Sequence, residues 1–311
     1  MPHLTVNQVP LYYEINGTGD RHVVCIHGMG LSHVNWVEQI PFFSKKAKVL
    51  TYDIRGHGRS GSSFRNVPTE NYLQVLVNDL HGLLINLELG PVFLMAYSSG
   101  CAVALDFMKQ YPELVWGAAL SGPFPKVSNM YLYSKLYGSL LLGKFHLKKW
   151  LSKQVAKSNG ATEEQIQLFR YEANKIRWKE AEQWINACLQ FDITKQLSDI
   201  HIPTLLLYGG NERHMMDCRR QFLLSFWHAE ICLLPKLNHA CPTKGKDLFN
   251  FIVNDFMETH QPSHSYPLST FDAYQDESYP QQNPQDLSKG YFISDSYESD
   301  RGRSNQNKWT Y

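Results

Sequence analysis

Two adjacent serines, Ser98 and Ser99, stand between an apolar run and a run of small residues in FLMAYSSGCAVAL, residues 93–105. A serine hydroxyl is a weak nucleophile at neutral pH. It performs acyl chemistry when a histidine takes its proton and a carboxylate holds that histidine's tautomer. Both partner types occur downstream, each just past a strand-like run. TLLLYGG (204–210) leads into Glu212, and AEICLLP (229–235) leads into KLNHAC, which contains His239. Asp217 lies close enough to Glu212 to compete for the acid position.

The two serines differ in what surrounds them. A strand ending near Tyr97 and a helix beginning near Ser99 put Ser98 on the turn between them, where the two backbones nearly touch. Such a turn requires small residues two positions either side of the nucleophile. Ser98 has Ala96 and Gly100 there, whereas Ser99 would place Tyr97 and Cys101 at the crowded positions. The spacing favours Ser98.

Positioning these residues takes a sheet. Short β-branched runs alternate with longer amphipathic ones, which predicts an α/β fold with a mainly parallel sheet and helices on both faces. The strand signals are LTVN, LYYEI, HVVCIHG (22–28), KVLTYDIRG (48–56), PVFLMAY (91–97), WGAALSG (116–122), TLLLYGG and AEICLLP. From Pro123 to Ile202 no strand signal occurs, and three or four helical segments are too many for one crossover. The expected organisation is therefore a sheet domain over 1–122 and 203–260, interrupted by a helical cap over 123–202. Residues 261–311, rich in Ser, Gln, Asn, Asp and Tyr with few aliphatics, read as a disordered acidic tail.

HGMG (27–30), DIRGHGRS (53–60), AYSSG (96–100), GGNE (209–212) and LNHACP (237–242) occur in an order and spacing that resembles the α/β-hydrolase family, in particular its capped serine hydrolases. The resemblance covers residues from about 10 to 260. It implies Ser98 as nucleophile, His239 as general base and then acid, and Glu212 as the carboxylate orienting His239. It further implies an oxyanion hole made by the backbone N–H groups of Met29 and Ser99. The family's elbow usually begins with Gly where this chain has Ala96, and its acid is more often Asp than Glu. DIRGHGRS, though it groups Asp53, Arg55 and His57, corresponds to a structural turn of the family rather than a second centre. His33 is the other histidine near enough in sequence to the oxyanion loop to line a pocket.

A serine at the elbow argues against the aspartate chemistry of epoxide opening and halide displacement. It points to hydrolysis of a carboxylic ester, thioester or lactone through an acyl-enzyme. C–C bond hydrolysis, or a lyase reaction, remains open on the same residues, as does a ligand sensor of this fold with slow turnover, whose tail would recruit a protein partner.

Composition narrows the partners. Thirty Lys and Arg against 29 Asp and Glu provide no global field for nucleic acid, so a small-molecule acyl substrate is expected. No motif calls for a metal or organic cofactor. The start of the chain lacks a basic, apolar leader, and the six scattered cysteines form no CxxC pair, so the chain reads as cytoplasmic with reduced core thiols. The first helical region expected in the cap, NMYLYSKLYGSLLLGKFHLKKWLSK, carries lysines at 135, 144, 148, 149 and 153. Its apolar face either packs on the sheet domain or lines an acyl pocket whose lysines attract an anionic head or a membrane surface. Trp36, beside the oxyanion loop, is a candidate apolar wall of that pocket.

Overall fold

Successive strand residues point to opposite faces, so a strand covered on both sides must be apolar almost throughout. In the computed structural model, which describes residues 2–62, 72–145 and 147–262, eight strands form one sheet. They are β1 (His3–Val6), β2 (Val9–Asn16), β3 (Arg21–Ile26), β4 (Ala47–Tyr52), β5 (Val92–Tyr97), β6 (Val115–Ser121), β7 (Thr204–Gly209) and β8 (Ala229–Leu234). Their spatial order is β1-β2-β4-β3-β5-β6-β7-β8. The first two pairings are antiparallel and the other five parallel. β5 and β7, in the interior of the sheet, are buried at every residue, while β8 at the edge is half open.

The alternation divides the core in two. Val24, Ile26, Leu94, Ala96, Leu120 and Leu206 face one apolar cluster, which they share with α2 (Tyr72–Asn86) and α3 (Gly100–Gln110). Val23, Cys25, Phe93, Met95, Ala119 and Leu205 face the other, and a short α1 (Ile40–Phe43) contributes Phe43 to it. Each such side chain removed from water contributes about 1.5–3 kcal/mol, so the sheet is held from both sides.

Four helices occupy the interval between β6 and β7: α4 (Met130–Lys144), α5 (Lys148–Asn159), α6 (Glu163–Ala173) and α7 (Trp178–Gln190). Asn129 caps α4 by accepting the Leu132 amide at 2.8 Å, and Thr162 caps α6 by accepting that of Gln165 at 3.3 Å. The two ends of the insertion are tied at its base, where Ile193 N–H donates to Pro125 O at 3.0 Å. After β7 come α8 (Met216–Ser225), α9 (Cys241–Lys244) and α10 (Lys246–Thr259), the last placing Phe249 and Val253 in the second cluster.

The structure departs from the sequence expectation at the end of one strand. β4 stops at Tyr52 instead of running to Gly56, because the following residues close a turn with His57 N–H on Ile54 O and Gly56 N–H on Gly61 O. All described residues fall within one compact body, with Trp184, Ala187 and Cys188 of α7 inside the first core cluster. The acidic tail lies outside the described residues except for Gln261 and Pro262. The six cysteines are free, and all but Cys232 are buried. Among the described residues no helix is long and apolar enough to cross a membrane.

Candidate active site

The turn between β5 and α3 holds Ser98 at φ +54°, a left-handed conformation that costs a non-glycine residue on the order of 1–3 kcal/mol. Neighbouring backbone over-determines it. Ser98 N–H donates to Ser121 O at 2.8 Å, and Ser98 O accepts from Cys101 N–H at 2.9 Å. A side chain at position 100 would meet His27 O at 2.5 Å, which explains Gly100. β3 and α3 thus press together beneath the turn and leave the Ser98 hydroxyl on its open side.

His239 arrives on the loop after β8. Its Nε2 lies 2.8 Å from Ser98 Oγ and its Nδ1 2.8 Å from Glu212 Oε1. An ionised carboxylate only accepts hydrogen bonds, so Nδ1 carries the hydrogen and Nε2 is the acceptor for the serine hydroxyl. The loops carrying acid and base are joined through Asn211 N–H on Leu237 O at 3.0 Å and Gly210 N–H on Leu234 O at 2.7 Å.

Glu212 accommodates its extra methylene by folding back, its Oε2 accepting Gly209 N–H at 3.0 Å. Burial by itself pushes the Glu212 carboxyl upward. The hydrogen bond and charge of His239, the Gly209 amide and the nearby His214 outweigh it and hold the carboxyl below the usual range. Glu212 is buried, whereas Asp217 is exposed on the first turn of α8. The structure therefore brings Glu212, not Asp217, to His239.

Met29 and Ser99 both line the cavity above Ser98. The Met29 N–H donates to Ser99 Oγ at 2.7 Å, so the hydroxyl of Ser99 is engaged at this position as well as its amide. Ser99 starts α3, where amides have no partner within the helix and the dipole is positive.

One expectation about the pocket fails. Trp36 is fully buried in the second core cluster and does not line the cavity, because its short helix packs its ring inward against the sheet. His33 is also buried, its Nδ1 and its amide N both bonded to Asp53 Oδ1 at 2.8 and 2.6 Å. The DIRGHGRS run behaves as a turn: Asp53 also accepts Arg59 N–H at 2.8 Å, and Arg55 forms a two-pronged pair with Asp79 at 2.5 Å. His57 is buried with its Nδ1 3.1 Å from Arg55 O.

Sequence reasoning missed Gly122 and Asn159. Gly122, at φ +66°, ends β6 where a Cβ would stand 2.5 Å from His239 Cε1, so only glycine leaves room for the imidazole. A glycine closing the WGAALSG strand was the available signal. Asn159, at the end of α5, accepts the Tyr97 hydroxyl at 2.6 Å and so fastens the insertion to β5 beside the elbow. No local pattern announces that contact.

The cavity itself measures about 190 Å³, small beside drug-sized sites of roughly 300–1,000 Å³. Its floor is Ser98, His239 and the Met29–Leu31 loop, and its roof is α4, α5 and α7, with Leu132, Leu136, Leu151 and Val155 supplying apolar surface.

Comparison with known proteins follows the same lines. The model of the hydrolase family described as serine aminopeptidase, S33, matches residues 18–240. The chain belongs to this family. Among curated relatives, a putative carbamate hydrolase of Agrobacterium fabrum is 25% identical over 258 residues, covering 79% of this chain and 98% of its own length. A 2-hydroxy-6-oxononadienedioate/2-hydroxy-6-oxononatrienedioate hydrolase of Burkholderia vietnamiensis is 26% identical over 270 residues, covering 80% and 91%. Among solved structures, the enol-lactonase of Burkholderia xenovorans superposes with a TM-score of 0.72 at 19% identity, covering 83% of this chain and all of that one. The protein is accordingly an α/β-hydrolase-fold enzyme of hydrolytic class.

Proposed function

We propose that the protein is a serine hydrolase that cleaves a small carboxylic ester or related acyl compound through Ser98, His239 and Glu212. The observation that carries this reading is the unbroken chain of two 2.8 Å contacts from Ser98 Oγ through His239 to Glu212 at the floor of the cavity. Ser98 Oγ attacks the acyl carbon while its proton passes to His239 Nε2. Glu212 stabilises the resulting imidazolium through the Nδ1–H bond.

The oxyanion is received by the amides of Ser99 and Met29, the Met29 N–H being shared with Ser99 Oγ, which accepts it in the resting site. Collapse of the tetrahedral intermediate expels the alcohol, which takes its proton from His239. A water, deprotonated by His239, then attacks the acyl carbon, and Ser98 leaves with the proton restored. Helices α4, α5 and α7 roof the cavity and act as the cap that selects the acyl group. Neither step calls on a metal or organic cofactor.

The test is a panel of nitrophenyl esters of short acids. Turnover that disappears in Ser98→Ala supports the reading, and turnover that persists in that variant refutes it.

A further inference from the structure

The charged residues of the cavity are of one sign. Among the described residues, its lining includes Lys135 and Lys148 and no Asp or Glu. A cleft lined by one sign of charge concentrates the opposite one. Lys135 sits on the stripe of α4 that faces the cavity, in helical register with Leu132, Leu136 and Ser139. An apolar residue is the ordinary choice for such a stripe, and a lysine there breaks the pattern.

Its surroundings leave that charge unneutralised. Among the described residues no carboxylate lies within ion-pairing distance of Lys135, in contrast with Lys175 and Lys246, which pair at 2.7 and 2.9 Å. Lys135 is exposed overall, yet the protein atoms around its ammonium desolvate it and lower its proton affinity below the usual lysine range. A cation at the rim of a partly open cavity has both properties. Glu212 acts on it in the opposite direction but is committed to His239. His214, which shares the lining, loses proton affinity through its own burial and in part through Lys135, so it adds hydrogen-bonding capacity rather than a second fixed charge.

Competing donors are occupied. The hydroxyls of Ser139 and Ser152 donate to the carbonyls of Lys135 and Lys148 at 2.9 Å, within their own helices. Lys135 and Lys148 are the cationic residues with which α4 and α5 line the cavity. Lys148 also opens α5, whose N-terminal end is positive.

We infer that the cap side of this cavity is an anion subsite, in which Lys135, aided by Lys148, binds the carboxylate of an acyl substrate that reacts at Ser98. The inference rests on the hydrolase reading above and narrows its substrate to monoesters or lactones of acids that carry a second carboxylate. A carboxylate fits better than a phosphate dianion, because lysines act as point charges and no arginine among the described lining residues offers a two-pronged grip.

The test separates binding from turnover. The full-length Ser98→Ala protein is titrated by calorimetry with the monoamides of glutaric, adipic and suberic acids and with the matching neutral diamides. At least one monoamide is expected to bind about tenfold more tightly than its diamide. That preference disappears when Lys135→Met is added and persists with Lys135→Arg. Equal affinity for monoamide and diamide, absence of monoamide binding, or a preference that survives Lys135→Met overturns the inference. Hydrolysis of nitrophenyl butyrate by the wild-type protein is read in parallel. Its failure removes the proposed reaction while leaving the binding result to stand or fall by itself.

Discussion

The sheet and the insertion use apolar residues in opposite ways. Every residue of β5 and β7 is buried, and their side chains are divided between two packed clusters. Of the fifteen residues of α4, only Leu140 and Gly143 are buried, while Met130, Tyr131, Tyr133 and Tyr137 stand exposed. The proposed catalytic geometry hangs on the over-determined part. Ser98, Glu212 and His239 each lie on the loop that follows a strand, and backbone hydrogen bonds join the turns that carry them. The α4 side of the cavity roof belongs to the more exposed part, although Leu132 and Leu136 pack against the first core cluster. On the proposed reading, this division would let one reaction serve different acyl groups, since chemistry and selection rest on different elements.

Substitutions that break the division should rank in order. The largest effect falls on chemistry alone: Ser98→Ala should lower kcat by about 10⁴-fold or more with little change in melting temperature, measured by ester turnover and calorimetry. Glu212→Ala should also cost orders of magnitude in kcat and Asp217→Ala almost nothing, and equal small losses would remove Glu212 from its role. Core substitution comes next. Leu94→Ala, in the fully buried β5, should destabilise by about 2–5 kcal/mol in denaturant unfolding.

Acid stability probes the junction between the two regions. The buried rings of His27, His57 and Trp184 lie within 6.2 Å of one another between centroids, which joins the sheet loops to α7. Burial lowers His27 to about 4 and His57 to about 3. His27 is held neutral by geometry as well, its Nε2 accepting Ile54 N–H at 3.0 Å and its Nδ1 lying 2.9 Å from Gly28 O. Both histidines take up protons on unfolding once the pH falls below the unfolded value of about 6.5, so the unfolded chain binds more protons in that range. Stability should be fully present above about pH 6.5 and decline as the pH falls toward 4, by on the order of 3 kcal/mol from His27. His57→Gln should flatten the decline, and an unchanged pH dependence would contradict the assignment.

The smallest effect belongs to the outside of the insertion. Phe145→Ser and Trp150→Ser replace exposed side chains and should change stability by no more than about 0.5 kcal/mol. A loss comparable to that of Leu94→Ala would show that the insertion is as tightly packed as the sheet.

The same contrast explains what was legible in the sequence. Strands buried on both faces write themselves as short apolar runs, so β3 through β7 and the turn at Ser98 could be located from residue type alone. The choice between Ser98 and Ser99 followed from local crowding, which Ala96 and Gly100 report directly. The choice between Glu212 and Asp217 depended on which carboxylate reaches across to another loop, and neither spacing nor composition contains that distance. Trp36 was misplaced for a related reason: proximity in sequence to the oxyanion loop says nothing about the direction in which a short helix turns its ring. Gly122 lies 117 residues before His239 and meets it through the sheet, a contact that exists only once the parallel strands are aligned. Of the five lysines in the first part of the insertion, the fold brings Lys135 and Lys148 to the cavity.

The central claim is that Ser98 is the nucleophile activated by His239. Its most direct test is intact-protein and peptide mass spectrometry after reaction with a fluorophosphonate. The expected result is a single adduct on the peptide containing Ser98, absent in Ser98→Ala and formed at least about a hundredfold more slowly in His239→Ala. An adduct on Ser99 or elsewhere, no adduct, or an unchanged rate in His239→Ala would contradict it.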